Sequence, residues 1–210
     1  MVMFAESATK PVRAVGGFFA MSLDTFALMF KPPFAWREYL AQCWFVARVS
    51  TLPAVLMTIP WAVISGFLFN VLLADIGAAD FSGTGAAIFT VSQSGPIVTV
   101  LVVAGAGATA MCADLGARTI REELDALRVM GINPIQALVV PRVLAATTVS
   151  LALSSVVIMT GLVGAFLCSV FLMDVSAGAW VAGLTTLTHV ADVIISMIKA
   201  TLFGLTAGLI

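Results

Sequence analysis

Residues 118–134 read RTIREELDALRVMGINP, a strongly charged segment set between two runs that carry no charge at all. The run before it, Phe81 to Ala113, and the run after it, Val143 to Met173, contain no Asp, Glu, Lys or Arg. A helix needs about 20 apolar residues to cross the hydrocarbon core of a bilayer, and each run exceeds that length. The sequence therefore predicts two membrane-spanning helices joined by a polar connection.

Two further apolar runs extend this pattern toward both ends of the chain. Val49 to Ala74 is free of charge, and Val193 to Ile210 is interrupted only by Lys199. Because the last run reaches the final residue without a polar tail, we expect the natural chain to continue. The predicted spans are about 45–74, 84–113, 143–172 and 192–210.

Composition excludes an ordinary water-soluble domain. The 210 residues are 61% hydrophobic and 10% charged, and the mean hydropathy is +1.12, whereas soluble domains carry about 25% charged residues. Ten basic and eleven acidic residues nearly cancel, so no basic field favours nucleic acid. The three cysteines form no C-x-x-C pair, so we expect neither a disulfide framework nor a metal site.

The basic residues predict the orientation, because cytoplasmic loops are enriched in Lys and Arg. Five basic residues precede the first span and four lie between the second and third spans, while the other two connections contain none. If the spans alternate, nine of the ten basic residues lie on one side. We therefore place the N-terminus and the 114–142 loop in the cytoplasm of a multi-pass protein of the inner (plasma) membrane.

Residues 1–35 form a separate unit ahead of the transmembrane domain at 36–210. The apolar stretch Val12 to Phe30 contains Arg13, a Gly-Gly pair and Asp24, which favours a cytoplasmic amphipathic helix lying along the interface over a spanning one. Lys31-Pro32-Pro33 predicts its end, since proline removes a hydrogen-bond donor. The expected fold is thus an all-α integral membrane protein: an interfacial helix followed by a multi-span helical bundle.

Within 119–131 the sequence predicts one short helix, from Ile120 to Met130. Thr119 followed by Glu122 matches a capping box, in which the hydroxyl and the carboxylate satisfy first-turn amides. Gly131 and Pro134 are typical of a helix end.

This predicted helix is amphipathic, with Ile120, Leu124 and Leu127 on one stripe and charged residues over much of the rest. Five charged side chains keep it out of the hydrocarbon, since each costs roughly 2.5–3.5 kcal/mol at the bilayer centre. A solvated connector is the simpler interpretation. The complete capping in a chain so poor in charge favours an element that receives force from a soluble partner.

Small residues within the spans predict close helix packing. Membrane helices approach one another most closely where Gly and Ala repeat along one face. The candidate packing residues are Gly95, Pro96, Gly105, Gly107, Gly161 and Gly164.

Two segments resemble the signature of the MlaE/YrbE permease family: residues 123–134, ELDALRVMGINP, and residues 140–145, VPRVLA. Upstream, SGPIV at 94–98, AG at 104–105 and DLG at 114–116 fall where that family has its G-P-[IV]-V, A-G-R and E-[IL]-G elements. The resemblance runs from about Trp36 to the chain end. It implies the membrane subunit of an ABC-type lipid transporter that works with MCE proteins, with an interfacial helix and five spans, of which about four are present here.

The resemblance also implies the partners. They are a second permease chain, a cytoplasmic ATPase dimer of the MlaF/Mlk type, MCE proteins on the extracytoplasmic side, and a lipid or fatty acid as cargo. ATP and Mg²⁺ belong to the partner ATPase, because this chain has no P-loop; no catalytic residue, bound cofactor or metal is expected in the chain itself. The segment 119–131 becomes the coupling helix, and the residues expected to contact the ATPase are Arg121, Glu122, Glu123, Leu124, Asp125, Leu127, Arg128, Met130, Gly131 and Pro134.

Lipid is expected between the two permease chains, with Phe67, Asn70 and Val71 as candidate lining residues; a simple contact with bulk lipid or a neighbouring helix is the equally weighted alternative. The chain departs from the family pattern at Ser92-Gln93-Ser94, Ala106 and Asp114, where the family commonly has Arg-Glu-Leu, Arg and Glu. Because buried ionisable groups are usually functional, we expect a non-identical YrbE-type partner that retains them, hence a heterodimer.

Two other classes of function remain as alternatives. A secondary transporter needs ionisable residues near the bilayer midplane, and only His189, Asp192 and Lys199 come close. An intramembrane enzyme needs a nucleophile and a base, for which His189 and Ser196 are the candidates. The carried lipid and the direction of transport are not encoded in any motif.

Overall fold

The computed structural model describes residues 2–32, 34–78, 81–173 and 175–210, with side chains from residue 16 onward except at 82 and 185–187. No strand occurs in these ranges. The all-α prediction is confirmed, and four helices are long and apolar enough to cross a membrane. In chain order the helices are α1 (Val2–Met29), α2 (Trp36–Asp75), α3 (Ser82–Phe89), α4 (Gly95–Val102), α5 (Ala108–Ile120), α6 (Glu123–Val129), α7 (Val140–Leu172), α8 (Ala177–Leu187) and α9 (Val190–Leu209).

The second span is one interrupted helix. Helices α3, α4 and α5 are joined by π-helical turns at Thr90–Ser94 and Val103–Gly107, so that Gly83–Ile120 forms a continuous apolar element of 38 residues. A third π-helical turn, Ile135–Val139, leads into α7. Each π turn inserts a residue into the helical ladder and changes which side chains face the neighbouring helix.

The helices that contain the first and second spans extend beyond the predicted span bounds at the end of the bundle that carries residues 36–38 and 114–142, which we call the polar end. The helix of the first span begins at Trp36, ahead of the predicted span start near 45, and that of the second continues to Ile120, past the predicted span end at 113. The predicted bounds followed the charge-free runs. Backbone hydrogen bonding does not stop at a charge, however, and the charged side chains at the polar end pair with one another.

Helix α1 carries its large apolar side chains on the outside. Phe19, Leu23 and Phe30 are exposed, whereas the small polar Ser22 and Thr25 are buried and donate to the carbonyls of Phe18 and Met21. A helix in water would have the reverse arrangement, so this distribution fits a helix in contact with lipid. It contacts the Ile135–Val139 turn and α7, and the Gln136 amide donates to the Lys31 carbonyl at 3.0 Å.

The centre of the bundle is the contact of α2 with α7. Every fourth residue of α2 from Gln42 to Asn70 is buried, and five of these eight are Ala, Gly, Ser or Thr: Gln42, Val46, Ser50, Ala54, Thr58, Ala62, Gly66 and Asn70. A strict spacing of four places them along one ridge of the helix. Because lipid is as apolar as a core side chain, such helices associate through close packing of small residues and not through exclusion of water.

Glycines set the closest approaches between helices. A Cβ on Gly161 would lie 2.8 Å from Thr90 Cγ2, and one on Gly164 would lie 3.3 Å from Ala62 Cβ. Gly95 packs equally closely on Ile158, Gly107 lies against Ser50, and Pro96 is buried. Gly105 does not fit the prediction, because a Cβ there would meet no atom within 4 Å.

Two close approaches were not predicted. Gly204 and Gly208 of α9 pack directly on α7, where a Cβ on Gly204 would overlap the Ser150 side chain and lie 3.1 Å from the Ala146 carbonyl oxygen. Gly83 and Gly183 similarly bring α3 and α8 together at the opposite end of the bundle. Gly204 and Gly208 stand four residues apart in α9, so a G-x-x-x-G pattern was present in the sequence and was not used. Gly83 and Gly183 lack a second glycine at i±3 or i±4 in the same helix.

We expect Gly204→Ala to destabilise the bundle by roughly 1–3 kcal/mol, because the added methyl group must displace α9 from the α7 backbone. Gly105→Ala is the matched control. It adds the same methyl group in open space, and we expect it to be neutral or slightly stabilising, since Ala favours helix over Gly. The measurement is thermal unfolding of the detergent-solubilised protein. Equal melting temperatures for the two variants would contradict this account of the α7–α9 contact.

Candidate functional site at the polar end of the bundle

The polar connection between the second and third spans contains a short helix with a hinge at each end. Helix α5 ends at Ile120, Arg121 follows, and Glu122 adopts a left-handed backbone conformation with φ of 60° before α6 begins at Glu123. A left-handed conformation costs a non-glycine residue roughly 1–2 kcal/mol. The chain therefore turns sharply between α5 and α6, and α6 is a separate element.

The predicted capping box is wrong. The Thr119 hydroxyl donates to the Leu115 carbonyl at 2.8 Å, inside the last turn of α5, and no side chain caps α6. The predicted helix over Ile120 to Met130 is correspondingly shorter, Glu123–Val129. The apolar sequence before Thr119 continues α5 through this threonine, and a hydroxyl inside a helix bonds its own i−4 carbonyl.

The predicted end of α6 is confirmed. Gly131 has a φ of +75°, its N–H donates to the Arg128 carbonyl, and the Ile132 N–H donates to the Leu127 carbonyl, both at 3.0 Å. These two bonds form a Schellman motif. Asn133 then accepts from the Ile135 N–H through its side chain, which leads the chain through Pro134 into the third span.

Helix α6 presents most of its charged side chains outward. Leu124 and Leu127 are half-buried, as their position on one stripe predicts, whereas Ile120 belongs to α5 and is 86% exposed. The exposed charged residues are Arg121, Glu122, Asp125 and Arg128. Their ion pairs, Arg128–Asp125 at 3.2 Å and Arg121–Glu123 at 3.9 Å, lie at the surface, where such pairs contribute little stability.

Three large apolar side chains flank α6 without cover from the rest of the chain. They are Ile120 at 86%, Val129 at 88% and Met130 at 64% exposed. Exposed apolar side chains beside a charged helix make this segment a candidate contact surface. We call Ile120, Val129, Met130 and α6 itself the α6 surface.

A charge network that includes the buried Arg142 lies at the polar end of the bundle. Arg142, in the first turn of α7, is only 3% exposed and donates through Nη2 to Asp114 Oδ2. Asp114 also accepts from Arg118 Nε at 3.3 Å, and Arg118 Nη2 reaches Glu38 Oε1 at 3.1 Å. Two cations and two anions thus form a neutral chain that joins α7, α5 and α2.

Sequence reasoning did not find this network. Arg142 was used for orientation and as part of the 140–145 signature, and Asp114 was taken as a departure from the family pattern, yet Asp114 is the centre of the network. One signal was available: Arg142 is a lone charge at the start of an apolar run of some 30 residues. A cation in that position needs a carboxylate, and Asp114 with Arg118 at i+4 stands at the end of the preceding span.

The candidate lipid-lining residues divide between the surface and the interior. Phe67 and Val71 are exposed on α2. Asn70 does not fit the prediction, because it is 3% exposed and its amide donates to Ser169 Oγ of α7 at 3.0 Å and to the Gly66 carbonyl at 2.8 Å. It is the eighth residue of the buried ridge of α2 and joins the first and third spans.

The residues of the two alternative functions have local structural roles. The His189 side chain and Asp192 form a capping box at the start of α9, with the His189 N–H donating to Asp192 Oδ2 at 3.0 Å. Ser196 is buried in α9 and faces Gly95, while Lys199 is exposed. Among the residues whose side chains are described, no three His, Cys, Asp or Glu residues gather in a way that could hold a metal ion.

Comparison with known proteins gives one family. Residues 39–210 match the sequence model described as Permease MlaE. A probable ABC transporter permease protein of Rickettsia prowazekii is 29% identical over 213 residues, which cover 99% of this chain and 80% of that protein.

Two other relatives carry more specific names. The intermembrane phospholipid transport system permease protein MlaE of Haemophilus influenzae is 28% identical over 143 residues, 68% of this chain and 55% of that protein. The chloroplastic protein TRIGALACTOSYLDIACYLGLYCEROL 1 of Arabidopsis thaliana is 36% identical over 113 residues, 52% of this chain and 31% of that protein.

We expect Asp114→Asn to destabilise the protein by about 2 kcal/mol, because it leaves the Arg142 guanidinium buried without a carboxylate. Asp125→Asn removes the same charge from an exposed pair, and we expect a change below about 0.5 kcal/mol. Thermal unfolding in detergent compares the two variants. An Asp114→Asn protein as stable as Asp125→Asn would show that the network does not hold the three helices together.

Proposed function

The chain belongs to the MlaE permease family, and from this premise we propose that it is the transmembrane permease subunit of an ATP-driven lipid transport complex. Its relatives carry names of ABC transporter permeases, and its helices are those of an integral membrane protein. The chain moves lipid and hydrolyses no ATP, since it contains no P-loop of the form G-x-x-x-x-G-K-[ST].

The observation that carries the proposal is the α6 surface. It combines a short charged helix, hinges at Glu122 and Gly131, and the exposed Val129 and Met130. A helix of this kind fits a groove on a soluble protein, with apolar side chains as anchors and charges around them. We propose that it is the coupling helix and that a cytoplasmic ATPase dimer of the MlaF/Mlk type seats it.

Although we call them hinges, the turns at Glu122 and Gly131 have defined backbone geometry. They therefore favour transmission of force over a flexible connection. The Schellman motif fixes the angle at which α6 leaves toward α7, and the left-handed Glu122 fixes the angle at which it leaves α5. A seven-residue helix held in this way has little freedom to fold back independently. Closure of the ATPase would therefore displace the bases of the second and third spans.

The membrane partner is proposed to be a second, non-identical permease chain of the YrbE type. The ionisable Arg-Glu that the resemblance leads us to expect at 92–93 is here Ser92-Gln93, and the neighbouring Ser94 accepts a hydrogen bond from Trp61 Nε1 at 3.0 Å. This position therefore serves contact between the first two spans of this chain. A partner with the ionisable residues would supply the polar role.

The cargo is proposed to be a lipid that occupies the space between the two permease chains. Phe67 and Val71 are exposed on α2 and available for such a lining. MCE proteins would receive or deliver the lipid on the extracytoplasmic side. Phospholipid is the first class to test, because one relative is named for intermembrane phospholipid transport; fatty acids and sterols present a similar apolar body.

The proposed location is the inner (plasma) membrane, with the N-terminus and the 114–142 loop in the cytoplasm. Eight of the ten basic residues lie at the polar end of the bundle or in the N-terminal segment that leads into it, and basic residues are retained on the cytoplasmic side.

We expect Val129→Asp to reduce co-purification of the ATPase with the tagged permease at least ten-fold, because a carboxylate replaces an apolar anchor. A loss of 1.4 kcal/mol of binding energy corresponds to that factor. Ala41→Asp is the control, since it adds the same charge on the exposed face of α2 at the polar end. Transport of a fluorescent phosphatidylethanolamine in proteoliposomes should fall in parallel for Val129→Asp only. Undiminished ATPase binding by Val129→Asp would refute the docking role.

We place a cysteine at Val129 in a background without the three native cysteines. We expect it to react with a membrane-impermeant maleimide only in preparations whose cytoplasmic membrane face is accessible to the reagent. The reason is that the α6 surface is exposed at the polar end and is proposed to face the cytoplasm. Labelling in intact cells and in inside-out vesicles measures this. Reaction in intact cells would place the surface outside and end the coupling proposal.

A further inference from the structure

A displacement of α6 can move the spans only if the bases of α5 and α7 move with it. The bases are the end of α5 and the start of α7, which lie on either side of α6 in the chain. A cavity of about 130 Å³ lies there, bounded by α5, the start of α7 and the end of α9. Met111, Cys112 and Leu115 of α5 line it on one side, and Arg142 of α7 lies in its wall. Arg142 therefore meets Asp114 at the edge of this cavity.

The charge network joins α5 and α7 beside this cavity. The Arg142 guanidinium reaches Asp114 of α5 from α7, and the Arg118 guanidinium continues from Asp114 to Glu38 of α2. Gln42 adds to the α2 side, since its amide donates to the same Glu38 oxygen at 3.0 Å. These polar contacts join three helices, and on α5 Arg118 and Asp114 lie about one and two turns before the hinge at Glu122.

The burial of Arg142 makes the link hard to open. Its Nε and Nη1 atoms are buried and have no hydrogen-bond partner among the described residues, so Asp114 is the group that compensates its charge. Separation of the two would leave a cation without a counter-ion in a low-dielectric environment, which is strongly unfavourable. A bond that cannot open at low cost behaves as a fixed connection during a conformational cycle.

We propose that Asp114 is a positioning residue for the coupling step: it holds the bases of α2, α5 and α7 together as one body, so that a displacement of α6 moves the spans. This inference rests on the proposed function as a permease driven by an ATPase. Asp114 contacts Arg142 and Arg118 directly. It acts through Arg142 and Arg118.

The first test measures lipid moved per ATP hydrolysed by the purified complex of permease and ATPase. The complex is reconstituted in vesicles of phosphatidylethanolamine and phosphatidylglycerol with a fluorescent phosphatidylethanolamine as the probe. We expect Asp114→Asn to lower this ratio about 3- to 30-fold while the ATPase remains bound and active. Asp114→Glu keeps the carboxylate, and we expect it to retain the ratio of the unmodified chain.

A second variant covers a failure of Asp114→Asn to fold. The pair Asp114→Asn with Arg142→Gln has no uncompensated buried charge, so it avoids the largest source of instability while it lacks the ionic link. We expect it to fold and to show the same low ratio. A normal ratio in a folded Asp114→Asn protein or in this pair would overturn the inference and leave the network with a stabilising role only.

The second test measures whether α5 and α7 move as one body. Spin labels at Ala117 and Leu151, both exposed, report the distance between the two helices in a cysteine-free background. We expect one narrow distance that is the same in the nucleotide-free and vanadate-trapped complexes, and a broad distribution in Asp114→Asn. A distance that changes with nucleotide in the unmodified network would contradict a fixed connection.

The failure of the proposed function gives a different result. If no ATPase binds to the unmodified chain, or if its lipid movement does not depend on ATP, the permease proposal fails whatever Asp114 does. If ATP-dependent movement is present and insensitive to loss of the Asp114 carboxylate, only the inference about Asp114 fails.

Discussion

The contact between α2 and α7 is the constraint on which the rest of the bundle depends. Lipid gives no hydrophobic driving force for two apolar helices to associate, so the interaction must come from many short-range contacts. The ridge from Gln42 to Asn70 supplies them by placing a buried residue at every fourth position of α2. The other spans pack on this pair, α9 through Gly204 and the second span through Gly95 and Gly107.

At the polar end the constraint changes from packing to charge. Helices that leave the hydrocarbon carry ionisable side chains, and those that face the bundle must be paired. Arg142 and Asp114 satisfy this requirement inside, while Asp125 and Arg128 remain at the surface. This division separates a fixed base from an exposed docking helix within one short stretch of chain. An element that transmits force needs a surface that a partner can bind. It also needs a rigid connection to the helices that it moves.

Strong periodicity and special residues made much of this structure predictable. The apolar runs gave four spans because a bilayer admits only helices whose backbone groups are all bonded. Gly131 gave the end of α6 because few other residues accept its backbone conformation. The start of α6 was mispredicted because Thr119 can cap a new helix or continue the old one, and local sequence does not decide between them. Asn70 was assigned to a lining surface for a similar reason. The sequence shows that the residue is polar, but only the packed helices show that it faces Ser169 and not lipid.

The sequence by itself determined the membrane class, the number of spans in this chain, the polar connection between the second and third of them, and the family. These features depend on hydropathy and on local backbone preference, which are read along the chain. The tertiary structure alone decided that Asp114 and Arg142 meet, that Gly204 lies against Ser150, and that Ile120 leaves the predicted stripe of α6. Such pairings join residues that lie tens of positions apart or on opposite sides of a hinge. They follow from the rotation of each helix about its axis, which the π turns and the small-residue ridge fix only once the helices are packed.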